Sequence, residues 1–282
     1  MCPEEMVLST LQWLILALYI AAARYYYLDF MDKRDQNWRI AGRLLLAGII
    51  AHTLQFVLFT WTFARIPIAS VGEALSTFVL LTAAVYFVLE KGIAGGQTLD
   101  RSIGTFILPL CCLLLLISNV TPGQNDEIAE ILKDVTFEFH VFSFLIAYAA
   151  LMMAFIASGL YLLLERELRK RKLGLFYSRL PSLALFEHTG NGAVDIGFVF
   201  STTGFALGFY LANSVWQTLF FTDVKFIAAG LVWVVYFIHF ISRRVGHPGG
   251  RLLALLALTG FILILISFTL VSTLFTSLHR FI

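Results

Sequence analysis

Hydrophobic residues in this chain come in long blocks that short polar connectors separate. Eight blocks are each roughly 20 residues long, the length of helix that crosses the hydrocarbon core of a bilayer. Charged and turn-forming residues fill the connectors, as in DKRDQN, KGIAGGQ and TPGQND. The pattern therefore predicts transmembrane helices over residues 6–28, 40–64, 72–90, 102–120, 139–164, 190–213, 225–242 and 252–277.

The composition supports a membrane fold. Hydrophobic residues make up 59% of the chain and charged residues only 13%. A soluble domain carries about 25% charged residues, so half that share cannot cover the surface of a 282-residue globule. No repeat of about 20–50 residues divides the chain. We predict an all-α, polytopic membrane protein with a single domain, residues 1–282, built as one bundle of about eight helices in the lipid bilayer.

The basic residues predict the orientation of this bundle. Connectors that follow odd-numbered spans hold 15 lysines and arginines, and the opposite side holds four. Cytoplasmic loops of membrane proteins carry the excess of positive charge. We therefore expect a bacterial-type inner membrane protein with the basic loops in the cytoplasm and both termini on the outer, periplasmic side.

Two connectors carry patterns of their own. Within 119–138, apolar residues recur at helical spacing between acidic ones, which predicts a short amphipathic helix on the outer surface; a solvated loop is the alternative. The basic segment RELRKRK is read as an extension of span five that faces lipid headgroups, with a partner site as the alternative. His188 and His247 are placed in basic connectors.

The other four histidines are the candidates for chemistry. His52 and His239 lie inside spans, where ionisable residues are costly and usually face the interior of the bundle. His140 and His279 lie at the outer ends of spans five and eight. Neutral imidazole is the commonest metal ligand, and paired histidines can hold a haem iron. The alternative for each is a hydrogen bond to a neighbouring hydroxyl or carbonyl group.

Signatures of other chemistry are missing from the sequence. It contains no GxSxG, GxxxxGK[ST], HExxH or GxGxxG motif. Cys2, Cys111 and Cys112 form no CxxC pair, so the sequence signals neither a disulfide framework nor a thiolate metal site. Asp195 is the one carboxylate well inside a span, and we expect it to make an interhelical hydrogen bond rather than serve a proton path.

Five segments together resemble the cytochrome c assembly family. ARIPIASVGEALSTFVLL is similar to the family element HFPLSNLYESLIFL, and SRLPSLALFEHTGNGAVDIGF to its LPSL…IGF segment. The stretches FHVFSFLIAYAALMMAFIASGLYLLLE, WVVYFIHFISRRVGHPGGRLLALLALTGF and SLHRFI resemble further family elements, in the family's order, over about residues 40–282.

The resemblance implies roles for the four histidines. In the family, two outer histidines flank a Trp-rich segment that presents haem, and two intramembrane histidines form a second haem site. By matching position, the outer pair of axial iron ligands is His140 and His279. The inner pair is His52 and His239. The implied cofactor is haem b.

The Trp-rich motif departs from the family pattern W-G-x-x-W-x-W-D-P-K-E. Trp216, Asp223 and Lys225 keep the register, but Phe220 replaces the second Trp and Thr222 the third. A phenylalanine can stack on a porphyrin face and a threonine cannot. The resemblance implies that Trp216 and Phe220 pack on the porphyrin. The change at Thr222 favours the HemX-like branch and argues against covalent attachment of haem.

We therefore expect a haem-handling membrane protein that moves or presents haem b at the outer face for cytochrome c biogenesis. Arg65 or Lys225 would pair with the haem propionates, although an interfacial arginine commonly anchors a span. The alternative is a HemX-like regulatory or scaffold protein that acts on haem synthesis without transporting haem. Expected partners are a second assembly protein or a haem-synthesis enzyme, and no nucleic acid. A secondary transporter of a small solute is less consistent, because no internal repeat supports it.

Overall fold

The computed structural model describes residues 3–32, 35–91, 101–121, 134–171, 174–213, 224–246 and 248–267. Those residues form α-helices, one 3₁₀ turn at Arg101–Ile103 and no strand. The helices are α1 (Pro3–Asp32), α2 (Asp35–Phe63), α3 (Val71–Lys91), α4 (Gly104–Val120), α5 (Val135–Arg169), α6 (Leu175–Arg179), α7 (Leu183–Leu211), α8 (Val224–Val245) and α9 (Gly250–Ile266).

The all-helical membrane fold is confirmed. In the described part of the chain, seven helices are long and apolar enough to cross a membrane: α1 to α5, α7 and α8. Helix α9 is apolar but shorter, and the rest of the predicted span 252–277 lies outside the described residues. Apolar side chains on these helices point away from the rest of the chain, with Trp61 on α2 87% exposed. Lipid is the solvent that such a surface requires.

Helix boundaries differ from the predicted spans mainly in the second half. Helix α5 begins at Val135 and continues through Arg169, so the extension of span five is confirmed. Helix α7 begins at Leu183 rather than at residue 190, so the placement of His188 in a connector was wrong. Most of the predicted amphipathic helix 119–138 lies outside the described residues.

The chain divides into two compact units. Unit 1 comprises Met1–Ile128 and Leu173–Pro181, and unit 2 comprises Ala129–Lys172 and Ser182–Ile282. Unit 1 therefore contains α1 to α4 and the short α6, whereas unit 2 contains α5 and α7 to α9. The expectation of a single transmembrane domain stays a prediction.

In unit 1, α1 packs on α2 and α4, and α3 packs on α4 and α2. A buried polar network joins three of these helices where α1 ends. The Glu90 carboxylate accepts hydrogen bonds from the Tyr26 hydroxyl, from Trp38 Nε1 at 2.6 Å and from Lys91 Nζ at 3.1 Å. A buried carboxylate is tolerated only when donors of this kind compensate for its lost hydration.

In unit 2, α5 packs along α7, and α9 packs on both α5 and α8. The close approach of α5 and α7 depends on a glycine. A Cβ atom at Gly197 would lie 2.5 Å from the Leu151 side chain and 3.2 Å from the Ala147 carbonyl oxygen. Small residues are common at such contacts in membrane proteins, because helix association there relies on close van der Waals packing.

Helix starts carry recognisable caps. The Asp134 carboxylate accepts from the backbone N–H groups of Thr136 and Phe137, which begins α5. At the start of α3, Ser70 Oγ accepts from the Glu73 backbone N–H at 3.2 Å, and the Glu73 carboxylate accepts from the Ala69 N–H at 2.9 Å. This exchange resembles a capping box, in which a Ser and a Glu three residues later satisfy unpaired N–H groups.

Candidate functional site

His52 lies in unit 1, on the face of α2 that packs against α1 and α3. The residue is only 2% exposed. Its Nε2 atom lies 2.9 Å from the Ser76 hydroxyl on α3, and its Nδ1 atom lies 3.4 Å from the Tyr19 hydroxyl on α1. Both ring nitrogens therefore have hydroxyl neighbours, which can act as donor or acceptor for either imidazole tautomer.

A cavity of about 590 Å³ opens beside His52, entirely within unit 1. Its apolar wall consists of Phe56, Phe59 and Phe63, which recur along one face of α2. The remaining wall is rich in hydroxyl, amide and carboxylate groups, among them Ser76 and Glu73. A volume of this size lies within the range of small-molecule and cofactor sites, roughly 300–1,000 Å³.

Arg65 and Glu73 form an ion pair next to this cavity. Arg65 NH1 and NH2 donate to the two Glu73 carboxylate oxygens at 2.6 and 2.8 Å. The guanidinium also lies over the Phe59 ring, 4.9 Å from its centroid. Arg65 is 7% exposed, and its buried Nε has no hydrogen-bond partner among the described residues.

Ala64 brings Arg65 to this position. Its φ of 50° is in the left-handed region, which costs a non-glycine residue energy, and it directly follows the end of α2. The turn sends the chain from α2 back toward α3, so that Arg65 meets Glu73 in the first turn of that helix. Strained backbone of this kind persists where surrounding contacts determine it.

His239 lies in unit 2, on the buried face of α8. It is 1% exposed, and its Nδ1 atom is buried with no hydrogen-bond partner among the described residues. An unpaired buried ring nitrogen is costly, and a metal ion or a ligand donor would satisfy it. Nearby on α7, Asp195 pairs with Arg243 and, at 3.4 Å, with Arg244, so its expected interhelical contact is confirmed.

His140 lies in the second turn of α5 and is held by α7. Its Nδ1 atom donates to the Gly204 carbonyl oxygen at 2.8 Å. A Cβ atom at Gly208 would lie 2.6 Å from the imidazole Cε1, so only glycine leaves room for the ring. The Phe144 ring meets the imidazole edge-on at 5.2 Å. Donation from Nδ1 places the lone pair of a neutral ring on Nε2, as in many metal-ligating histidines.

Several predicted site residues cannot be compared with the structure. Trp216, Phe220, Asp223 and His279 lie outside the described residues, as does the side chain of Lys225. His52 belongs to unit 1, and His239 and His140 belong to unit 2. Within the described part of the chain, no group of three or more His, Cys, Asp or Glu side chains could hold a bare metal ion. The pairing of the histidines stays a prediction.

The resemblance to known proteins extends over nearly the whole chain. A family model described as Cytochrome C assembly protein matches residues 37–279. The chain belongs to the cytochrome c assembly protein family. Membership accounts for the multi-pass helical architecture and confirms the family that the sequence motifs indicated.

The chain is similar to relatives that carry two different names. Protein HemX of Bacillus subtilis is 21% identical over 259 residues, which cover 92% of this chain and 93% of that protein. Cytochrome c biogenesis protein CcsA of Prochlorococcus marinus is 26% identical over 278 residues, 88% of this chain and 86% of its own. The CcsA protein of Trieres chinensis is 23% identical, with 95% of both chains covered. The chain is thus similar to both HemX and CcsA proteins along their length.

A haem iron binds one or two neutral imidazole nitrogens, and the described histidines are compatible with that chemistry. His52 lines a cavity with an aromatic wall, and its Nε2 partner Ser76 lines the same cavity. His239 has a buried ring nitrogen with no hydrogen-bond partner in the described ranges. His140 has its Nδ1 bound to a backbone carbonyl. Each imidazole, taken by itself, is thus compatible with binding a haem iron.

Sequence patterns did not reveal the residues that support these histidines. Ser76 and Tyr19 contact His52 from two other helices, and such contacts depend on how the helices are rotated. Glu73 had a usable signal, because Ser70 and Glu73 have the spacing of a capping box. Gly204 and Gly208 lie one helical turn apart on α7, and both contact the His140 ring on α5. Nothing in the sequence pattern indicates that these two glycines face His140.

Proposed function

We propose that this membrane protein binds haem b and moves it, or presents it, at the outer face of the membrane for cytochrome c biogenesis. The observation that carries the proposal is the cavity of about 590 Å³ beside His52. One side of this cavity is aromatic and the other is polar. That arrangement suits a flat apolar ring system with polar groups at its edge.

In this proposal His52 and His239 would hold the haem iron within the membrane, and His140 and His279 would hold it at the outer face. Bound haem would supply an iron that imidazole nitrogens coordinate. The Tyr19 hydroxyl beside Nδ1 would orient the His52 ring, and the Gly204 carbonyl oxygen would orient His140. Trp216 and Phe220 would pack against the outer porphyrin, with Asp223 and Lys225 at its edge.

The proposed topology follows the distribution of charge. The basic connectors face the cytoplasm and both termini face outward, in a bacterial-type inner membrane. On this topology the His52 cavity lies toward the outer half of the membrane, because the helix ends at Phe63 and Val71 are outer ends. A second cytochrome c assembly membrane protein or a haem-synthesis enzyme is the proposed partner.

A regulatory or scaffold role is the second candidate, and two observations favour it. The chain matches a protein named HemX over 92% of its length, and Thr222 replaces the third Trp of the haem-presenting motif. In that role the protein would act on haem synthesis or on an assembly partner without transporting haem.

An absorption spectrum of the protein purified in detergent separates the two. The haem-handling proposal predicts a Soret band that shifts on reduction with dithionite. The spectrum should reappear when haem is added back to protein from haem-deficient cells. A protein that stays colourless under both conditions supports the scaffold role and contradicts haem handling.

A further inference from the structure

Glu73 separates the buried guanidinium of Arg65 from the His52 cavity. Glu73 lines the cavity, whereas Arg65 is not among the described residues of that lining. Arg65 lies against Phe59, which does line it. The guanidinium therefore lies directly behind the wall that Glu73 and Phe59 form.

This pair differs from a simple structural ion pair in one respect. Glu73 satisfies both terminal nitrogens of Arg65, but the buried Nε keeps an unsatisfied N–H among the described residues. A guanidinium has five N–H groups in a planar fork, and carboxylates bind its edges through two parallel hydrogen bonds. The Nε–H thus gives an incoming carboxylate a first hydrogen-bond donor while Glu73 still holds the two terminal nitrogens.

Glu73 and His52 are linked through α3. Ser76, which contacts His52 Nε2, follows Glu73 by three residues, a rise of about 4.5 Å along the helix. Residues three apart lie on the same helix face. A ligand bound at His52 therefore extends toward Glu73 within one helical turn.

We propose that Arg65 and Glu73 form a carboxylate-exchange site. Glu73 occupies the guanidinium edge that a carboxylate of the ligand at His52 takes over when it binds. The inference rests on the proposed function, in which that ligand is haem, and haem carries two propionate carboxylates. It adds a role for Glu73 as an internal competitor that keeps the Arg65 charge paired between binding events.

The physical reason is the cost of an unpaired charge. Arg65 is 7% exposed, so losing one carboxylate partner is tolerated only if another replaces it. Exchange of Glu73 for a propionate keeps the number of charge-assisted hydrogen bonds nearly constant. The released Glu73 carboxylate keeps its contact with the Ala69 N–H at the start of α3.

Glu73→Gln tests the exchange without removing the helix cap. Glutamine serves as well as glutamate in a capping box, so Ala69 keeps an acceptor. The variant leaves Arg65 without a resident anion, and a propionate meets no competitor there. We expect the affinity for zinc protoporphyrin IX, followed by its fluorescence, to rise about tenfold, which corresponds to 1.4 kcal/mol.

The dimethyl ester of zinc protoporphyrin IX provides the second arm, because it has the same ring and no carboxylates. Its affinity should be unchanged in Glu73→Gln. Arg65→Gln should lower the affinity for zinc protoporphyrin IX alone, so that the variant binds this porphyrin and its dimethyl ester with equal affinity. Glu90→Gln is the matched control, since it removes a buried carboxylate from unit 1 that does not line the cavity; it should affect both porphyrins equally.

The outcomes are distinguishable. If Glu73→Gln weakens both porphyrins to the same extent, the pair is structural and the exchange site is wrong, while haem binding stands. If the parent protein binds acid and ester equally and Arg65→Gln changes neither, carboxylates are not recognised here. If the parent protein binds neither porphyrin, the proposed function fails together with the exchange site.

Discussion

The Nδ1 atom of His140 donates a hydrogen bond to the carbonyl oxygen of Gly204 across 2.8 Å, from α5 to α7. Gly208 lies one helical turn beyond Gly204, and a Cβ atom at Gly208 would lie 2.6 Å from the imidazole. Two positions of α7 thus determine where the His140 ring lies. They make α7 part of the proposed outer ligand site, although it supplies no ligand there.

Gly208→Ala should therefore displace the His140 ring. Overpacking of this kind typically costs about 1–3 kcal/mol. We expect a lower unfolding temperature in detergent and a loss of the low-spin signal that His140 contributes. Gly192→Ala, in the same helix, is the control, because a Cβ atom there meets nothing within 4 Å. Equal effects of the two substitutions on the spectrum would show that α7 does not position His140.

The contacts of His52 predict that substituting its two neighbours, Tyr19 and Ser76, has different effects on haem affinity. Tyr19→Phe removes the hydroxyl beside Nδ1, and loss of such a supporting partner typically weakens a metal site about 10–100-fold. Ser76→Ala removes a competitor for Nε2 and should leave haem affinity unchanged or higher. Titration of each variant with haem, followed at the Soret band, measures this. A larger loss in Ser76→Ala than in Tyr19→Phe would mean that Nε2 is not the ligand atom.

Burial predicts which carboxylates matter for stability. Glu90 is buried and accepts from Tyr26, Trp38 and Lys91, so Glu90→Gln should destabilise the protein by about 3 kcal/mol. Glu165 pairs with the exposed Arg169, and an exposed pair is worth about 1 kcal/mol or less. Denaturant titration in detergent compares Glu90→Gln with Glu165→Gln. Equal losses of stability would contradict the role assigned to the buried network.

The orientation has a direct test. In a background without the natural cysteines, a cysteine at position 124 should react with an impermeant thiol reagent added to intact cells. A cysteine at position 170 should react only after the membrane is opened, because residues 165–190 are predicted to lie in the cytoplasm. The reverse pattern of labelling would invert the topology.

The sequence predicts the spans well because each one has to be apolar over its full length. It also indicates which histidines are unusual, since His52 and His239 interrupt apolar runs. It does not predict the partners of these histidines. Ser76, Tyr19 and Glu73 reach the His52 region from α1 and α3, and their positions depend on helix rotation and close packing.

Helix boundaries next to the basic connectors were predicted less well for a similar reason. Helix α7 begins at Leu183 because the Ser182 side chain accepts a hydrogen bond from the Leu185 N–H, a local cap that hydropathy does not register. His188 therefore belongs to a helix and not to a connector. Hydropathy finds the part of a helix in the hydrocarbon core and misses the turns that continue into the headgroup region.

Haem ligation by the four histidines is tested most directly by the spectra of His52→Gly, His239→Gly, His140→Gly and His279→Gly, each with and without imidazole. His140 is partly exposed, and His52 lines a cavity, so added imidazole can reach both positions. His239 is 1% exposed, and imidazole should not replace it. We predict that each variant loses the parent low-spin spectrum, and that millimolar imidazole restores it for His52→Gly and His140→Gly but not for His239→Gly. If all four variants keep the parent spectrum, these histidines are not the iron ligands.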